Sequence, residues 1–152
     1  MNDAAMIVAG AIACLGLSGA GSALGTGYAA AAAVGSWKKC YAANKPAPFL
    51  LLSFVGAPIT QTLYGMILMF VMLGMVGKVS AGSGVPVLVA GVFSGFAIGL
   101  SALFQGRAAA AACDAQSETN QGFTNYLAAL GIVETVAIFA MVFSLIALGA
   151  VK

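Results

Sequence analysis

The charged side chains of this chain fall at Asp3, Lys38, Lys39, Lys45, Lys78, Arg107, Asp114, Glu118, Glu134 and Lys152. Between them lie charge-free runs over 4–37, 46–77 and 79–106, and a fourth, 119–151, is interrupted only by Glu134. Each run exceeds the roughly 20 residues that a helix needs to cross hydrocarbon. At about 1.5 Å per residue they make helices of about 40–50 Å, long enough to tilt or to project from a bilayer. Strict apolar–polar alternation is missing, and lipid admits only helices or closed barrels. The pattern predicts an all-α membrane protein with four transmembrane helices at about 4–35, 48–77, 85–117 and 121–150, in a single membrane domain, 1–152.

The segments between these runs have the chemistry of connections. Ser36-Trp37-Lys38-Lys39-Cys40-Tyr41-Ala42-Ala43-Asn44-Lys45-Pro46 is expected to be a polar, basic loop carrying two aromatic residues suited to the membrane interface. Ser80-Ala81-Gly82-Ser83-Gly84 is a turn, with Pro86 fitted to the first turn of the next helix, and Ser117-Glu118-Thr119-Asn120-Gln121 is a second polar turn. Three lysines place the first loop (36–47) in the cytoplasm by the positive-inside rule, which puts both termini and the Ser80 turn on the other side. Lys78 and Lys152 on that other side and the net acidity of the third connection weaken the bias. No cleaved signal peptide is expected, because no basic segment precedes the first apolar run and that run is too long.

Composition sharpens the class. Apolar residues make up 62% and charged residues 7% of the 152 positions, where a soluble domain carries roughly 25% charged residues. Soluble enzymes, nucleic-acid binders and disordered regulators are excluded, and a net charge of +2 indicates no polyanionic partner. Cys14, Cys40 and Cys113 form no CxxC pattern, so neither a disulfide framework nor a zinc site is expected. The chain has no histidine, which removes imidazole acid–base chemistry.

The chain also repeats itself. Ser22–Ala33 aligns with Ser101–Ala112 at nine of twelve positions, and Ile59-Thr60-Gln61-Thr62 aligns with Ile132-Val133-Glu134-Thr135. The sequence therefore reads as a duplicated helical hairpin, 4–77 and 85–150, with both copies starting on the same side. Such a parallel repeat differs from the inverted repeats common in alternating-access transporters. The copies diverge at one position of consequence, Gln61 in the first and Glu134 in the second. Gly91, Gly95 and Gly99, and Gly21 with Gly25, follow the small-xxx-small spacing that lets helices approach closely in lipid. This spacing fits packing within one bundle, or a tight inner wall of first and third helices in a multi-subunit ring.

Glu134 lies in the middle of the fourth helix. A carboxylate there costs about 2.5–3.5 kcal/mol on insertion scales, which makes ion or proton passage the leading role; a structural hydrogen-bonding role is the bland alternative. Thr60, Gln61, Gln105 and Glu134 all lie about a dozen residues from the loop face, at one depth of roughly 18–20 Å. Ala57, Thr60, Gln61 and Tyr64 form one stripe on the second helix. Pro58 cannot donate to the carbonyl of Phe54 and distorts that turn, which frees carbonyls for a ligand. The convergent groups are a carboxylate, two amides, a hydroxyl and a carbonyl. Hard cations prefer such oxygens, and one formal charge matches one monovalent cation, Na⁺. A proton would need only the carboxyl group. Interhelical hydrogen bonding is the alternative role for Gln61 and Gln105. Arg107 is expected to snorkel toward the loop face or to pair with Asp114 or Glu118. A pair with Glu134 would fill the cation site permanently.

These residues resemble the duplicated 16-kDa proteolipid of rotary V-type ATPases, the K or c subunit of the rotor ring, over essentially the whole chain. The motifs that carry the resemblance are Pro58-Ile59-Thr60-Gln61-Thr62-Leu63-Tyr64-Gly65, Gln105-Gly106-Arg107-Ala108-Ala109-Ala110 and Val133-Glu134-Thr135, in the pattern of the bacterial sodium-pumping members. The resemblance implies that Glu134 carries Na⁺, with side-chain oxygens from Thr60, Gln61 and Gln105 and the main-chain carbonyl of Ala57. Tyr64 would hydrogen-bond to the carboxylate and latch it closed. Ala57 stands where a bulkier aliphatic residue is familiar, and Arg107 where a lysine is. The partners implied are further copies in a homo-oligomeric ring, a stator membrane subunit with a fixed positive group, a central-stalk subunit at the cytoplasmic loops, and lipid. The location implied is a bacterial cell membrane. ATP would be hydrolysed on other subunits, so the chain is not itself an enzyme. The nearest rival is a proton-translocating proteolipid of the same kind. A small four-helix multidrug transporter also has a membrane glutamate, but it is shorter and lacks the duplication. A purely structural membrane protein would not need the polar constellation.

Overall fold

A computed structural model describes residues 2–151; Met1 and Lys152, the latter among the charges assigned above to the far side, lie outside the described residues. Helix α1 spans Asp3–Ala42, α2 Leu51–Gly56, a 3-10 turn Ala57–Ile59, α3 Thr60–Gly74, α4 Gly84–Thr119 and α5 Phe123–Gly149. With α2, the turn and α3 taken as one broken span, these are four helices long and apolar enough to cross a membrane. Among the described residues no strand forms. The chain is an all-α, multi-pass integral membrane protein.

The first connection differs from the expectation. Ser36–Tyr41 is the last part of α1 rather than loop, and the connection is confined to 43–50. The extra turns are held by neighbours that the linear pattern does not show. The Ser36 hydroxyl donates to the carbonyl of Cys113 at 3.3 Å, and the Trp37 indole N–H to that of Pro48 at 2.9 Å. Lys39 pairs with Asp114 at 2.8 Å and Glu118 at 3.4 Å. The helix stops where Asn44 takes a left-handed φ of 51° ahead of Pro46, which disfavours helix in the residue before it. At the opposite end, the Asp3 carboxylate accepts from the backbone N–H groups of Gly82 and Gly84 at 2.8 and 3.0 Å, and so ties the start of α1 to the start of α4.

Helices α1 and α4 form the central contact. A Cβ on Gly21 would overlap the backbone of Gly99, and one on Gly106 the backbone of Gly25; only glycine allows this approach. The hairpin partners α3 and α5 pack outside this pair. In α5, 11% of the most apolar window is buried, and Ile132, Phe139, Phe143 and Ile146 are exposed, as suits a lipid-facing helix. Two apolar clusters fill the bundle. One, at the Asp3 end, contains Ile7, Leu68, Met72, Val87 and Ile98. The other, at the loop end, contains Leu51, Phe54, Cys113 and Leu130, with Phe54 against Phe123 at 5.2 Å between ring centroids. Along α3, α4 and α5 alike, the polar level of Gln61, Gln105 and Glu134 falls between these clusters.

Candidate ion-binding site

Pro58 shapes the site before any charge enters it. Its ring nitrogen cannot donate to the carbonyl of Phe54, and the N–H of Ala57 donates there instead. The chain tightens into the 3-10 turn, and the N–H of Thr60 in turn donates to the carbonyl of Ala57. Tightening by one residue rotates the rest of the span and directs Thr60 and Tyr64 toward α5. The expected distortion at Pro58 is present, and the carbonyl of Ala57 is turned to Thr60.

Glu134, half-buried on α5, receives this stripe. Its Oε1 accepts from the Thr60 hydroxyl at 2.7 Å and the Tyr64 hydroxyl at 2.6 Å. Its Oε2 accepts from the amide nitrogen of Gln105 at 3.2 Å. That nitrogen also donates to the carbonyl of Leu130 at 3.0 Å, and the oxygen of Gln105 accepts from Gln61 Nε2 at 2.7 Å. Gln61 and Gln105 are both 0% exposed. Ala57, Thr60, Gln61, Tyr64, Gln105 and Glu134 thus meet at one level across three helices.

The hydrogen count in this group is short. Thr60 Oγ1 lies 2.7 Å from Glu134 Oε1, 3.0 Å from the carbonyl oxygen of Ala57 and 3.2 Å from Gln61 Oε1, yet a threonine hydroxyl carries one hydrogen. The hydroxyl can satisfy one of three acceptors, which leaves oxygens facing one another around it. The amides run the other way. Gln105 presents its NH₂ to the carboxylate rather than its oxygen, because a carboxylate attracts donors. An amide presents oxygen or nitrogen by a half-turn about its last torsion, its sense set by the surrounding network. Turning Gln105 over brings its NH₂ against that of Gln61, so Gln105 can offer its oxygen to the site only if the Gln61 side chain shifts away with its own oxygen still toward Thr60.

Arg107 is exposed, with its guanidinium 6.0 Å from the centre of the Phe104 ring. The alternative, a pairing with Asp114 or Glu118, does not form; Lys39 of α1 takes both carboxylates. Two partners have no signal in the sequence. The Leu130 carbonyl holds Gln105, and the Ser101 hydroxyl donates to the Val133 carbonyl at 2.9 Å, fixing α5 against α4 next to Glu134.

Residues 88–147 match the model of the family formed by the C subunits of ATP synthase. The match takes in most of α4 and α5, including Gln105 and Glu134; Thr60, Gln61 and Tyr64 lie in the first hairpin, outside it. No curated protein matches the chain.

Proposed function

We propose that this chain is the ion-carrying proteolipid in the membrane rotor of a rotary V-type ATPase, and that Glu134 carries Na⁺ across the membrane as other subunits hydrolyse ATP. The likeness of the second hairpin to the C subunits of ATP synthase supports a rotor-ring proteolipid. The duplicated hairpin with one mid-membrane carboxylate supports the V-type reading.

The observation that carries Na⁺ is the oxygen excess around Thr60. A cation between Glu134 Oε1, Thr60 Oγ1, Gln61 Oε1 and the Ala57 carbonyl turns their mutual repulsion into attraction, and Gln105 joins by turning its amide over. A proton on Glu134 satisfies one oxygen and leaves the others as they are. Tyr64 closes the site from the outer side through its hydrogen bond to the carboxylate. The occupied site is neutral, so it travels past lipid at tolerable cost. A fixed positive group on the stator displaces the cation into an exit path. Moving one charge against 100 mV takes about 2.3 kcal/mol. The connection at 43–50, with the basic end of α1, faces the cytoplasm of a bacterial cell and meets the central stalk.

The test is carbodiimide labelling, which modifies only a protonated carboxyl. Added Na⁺ slows modification of Glu134, and less Na⁺ suffices as pH rises, because fewer protons compete for the same oxygens. A rate indifferent to Na⁺ at every pH sinks the sodium reading and leaves a proton-translocating proteolipid. The donors already converging on the carboxylate, from Thr60, Tyr64 and Gln105, are the feature that favours this second reading.

A further inference from the structure

The loop end of the bundle holds a pocket that the ion site does not use. It lies between the last turn of α1, the connection at 43–50 and the last turn of α4, and its volume is about 400 Å³, within the roughly 300–1,000 Å³ of small-ligand sites. Pro46, Pro48 and Leu50 give it an apolar side. Cys40 and Gln116, which also line it, are 5% and 2% exposed.

The polar groups of this pocket ask for a cation that donates hydrogen bonds. Gln116 Oε1 is buried and has no hydrogen-bond partner, and a buried acceptor left unpaired is costly. Both helices stop just before left-handed asparagines, Asn44 at φ 51° and Asn120 at φ 53°, and the last turns of both line the pocket. A helix C-terminus carries about half a negative elementary charge. The last turn of α1 holds Lys39, whereas that of α4 holds no basic residue. Glu118 of α4 adds a carboxylate to the lining, and Lys39 reaches it at 3.4 Å. One lining group has the opposite sign, Lys45. A second cationic side chain brought in by a protein would meet that charge, whereas a zwitterion brings its own anion for it.

Depth says where such a zwitterion comes from. Gln116 follows Gln105 on α4 by eleven residues, about 16 Å along the axis, and half of a bilayer's hydrocarbon core is about 15 Å thick. With the Gln105 level at mid-membrane, the pocket opens in the headgroup layer. Tyr41 and Phe49, on either side of Lys45 in the chain, are 68% and 80% exposed, as suits aromatic residues at a membrane interface.

We infer that this pocket binds the headgroup of an aminophospholipid of the phosphatidylethanolamine kind. The ammonium donates to Gln116 Oε1 and lies against the C-terminal end of α4 and the Glu118 carboxylate. The phosphate meets Lys45, and the glycerol end leaves over Pro46, Pro48 and Leu50 toward the acyl layer. The site requires only the membrane-spanning fold, whichever ion Glu134 carries, so its failure and that of the rotor reading are separate results.

The experiment equilibrates the full-length chain in mild detergent with equal amounts of phosphatidylethanolamine, phosphatidylcholine and phosphatidylglycerol, and reads retained lipid by native mass spectrometry. Phosphatidylcholine has the same charges but no N–H, and phosphatidylglycerol has the phosphate without the cation. Phosphatidylethanolamine is expected to be retained over phosphatidylcholine by about 10-fold, the worth of one hydrogen bond to a charged group. Equal retention of the two overturns the site and leaves the acceptors to a basic side chain of a protein. A preference for phosphatidylglycerol overturns it in favour of a simple anion site at Lys45. Gln116→Leu, with helicity kept, is expected to bring the ratio of the first two lipids to about one, since the lost acceptor served only the ammonium. Lys45→Ala, on the exposed connection, is expected to lower retention of both while their ratio holds, because the phosphate is common to them. An unchanged ratio in the first variant, or unchanged retention in the second, overturns the assignment.

Discussion

Glu134 and Gln61 occupy the same position in two copies of one unit, and under the proposed function the difference of an oxygen for a nitrogen divides the labour between them. Glu134→Gln is expected to abolish ion transport by the assembled complex while leaving the oligomer intact, because a neutral amide is cheaper in lipid than a carboxylate. Transport at the parent rate would remove Glu134 from its role. Thr60→Ala tests the oxygen cage apart from the charge. A hydrogen bond to a charged group contributes about 1.5–3 kcal/mol, so the Na⁺ concentration needed to protect Glu134 from carbodiimide should rise about 10-fold or more. Labelling without Na⁺ should continue, since protonation does not require the hydroxyl. An unchanged protection curve would show that Thr60 only locks the carboxylate in place. At this scale the convergence of these side chains was open to reading, because polar side chains are so rare in the spans that those at one depth stand out. Two features were not. The sense of the Gln105 amide depends on which donors and acceptors surround it, and the partner of Lys39 depends on how α1 lies against α4.

Among the elements, the broken second span shows how a single backbone nitrogen places a side chain. Pro58 was legible as a distortion, because the missing N–H is a property of the residue itself. The continuation of α1 through Ser36–Tyr41 was not legible. Polar and basic residues there look like loop in a linear pattern, and they are helical because Cys113, Pro48, Asp114 and Glu118 of other segments bond to them. The α1–α4 contact offers a direct test of packing. Gly25→Leu puts a side chain where even a Cβ would overlap the carbonyl of Ala102. Overpacking of a tight contact costs about 1–3 kcal/mol or more, so the variant should lose thermal stability in detergent. Ala23→Leu, two positions away on the exposed side of α1, should leave the isolated chain's midpoint nearly unchanged. Equal effects of the two variants on the isolated chain would mean that α1 does not distinguish its two faces.

For the whole molecule, the proposed rotor would carry one ion per four helices, since the duplicated chain has one carboxylate at mid-span. The repeat was visible in the sequence from Ser22–Ala33 and Ser101–Ala112 alone. Which of its faces stay open emerged only once the inner contact pairs were known. The same arrangement gives a stoichiometric prediction. Glu134 is the only acidic residue within the four long apolar runs described above, so a carbodiimide that partitions into hydrocarbon should saturate at one label per chain, as read by mass. If the chains turn together past one stator, a single labelled Glu134 stops the ring when it arrives there, because its carboxylate can neither release nor take up an ion. Transport by the complex should then fall far faster than the labelled fraction rises, and be nearly gone while most chains are still unmodified. Chains acting as independent carriers would give a straight line between the two quantities, with half the transport left at half labelling. The curvature therefore separates a rotor from a set of separate transporters and requires no structure of the assembly.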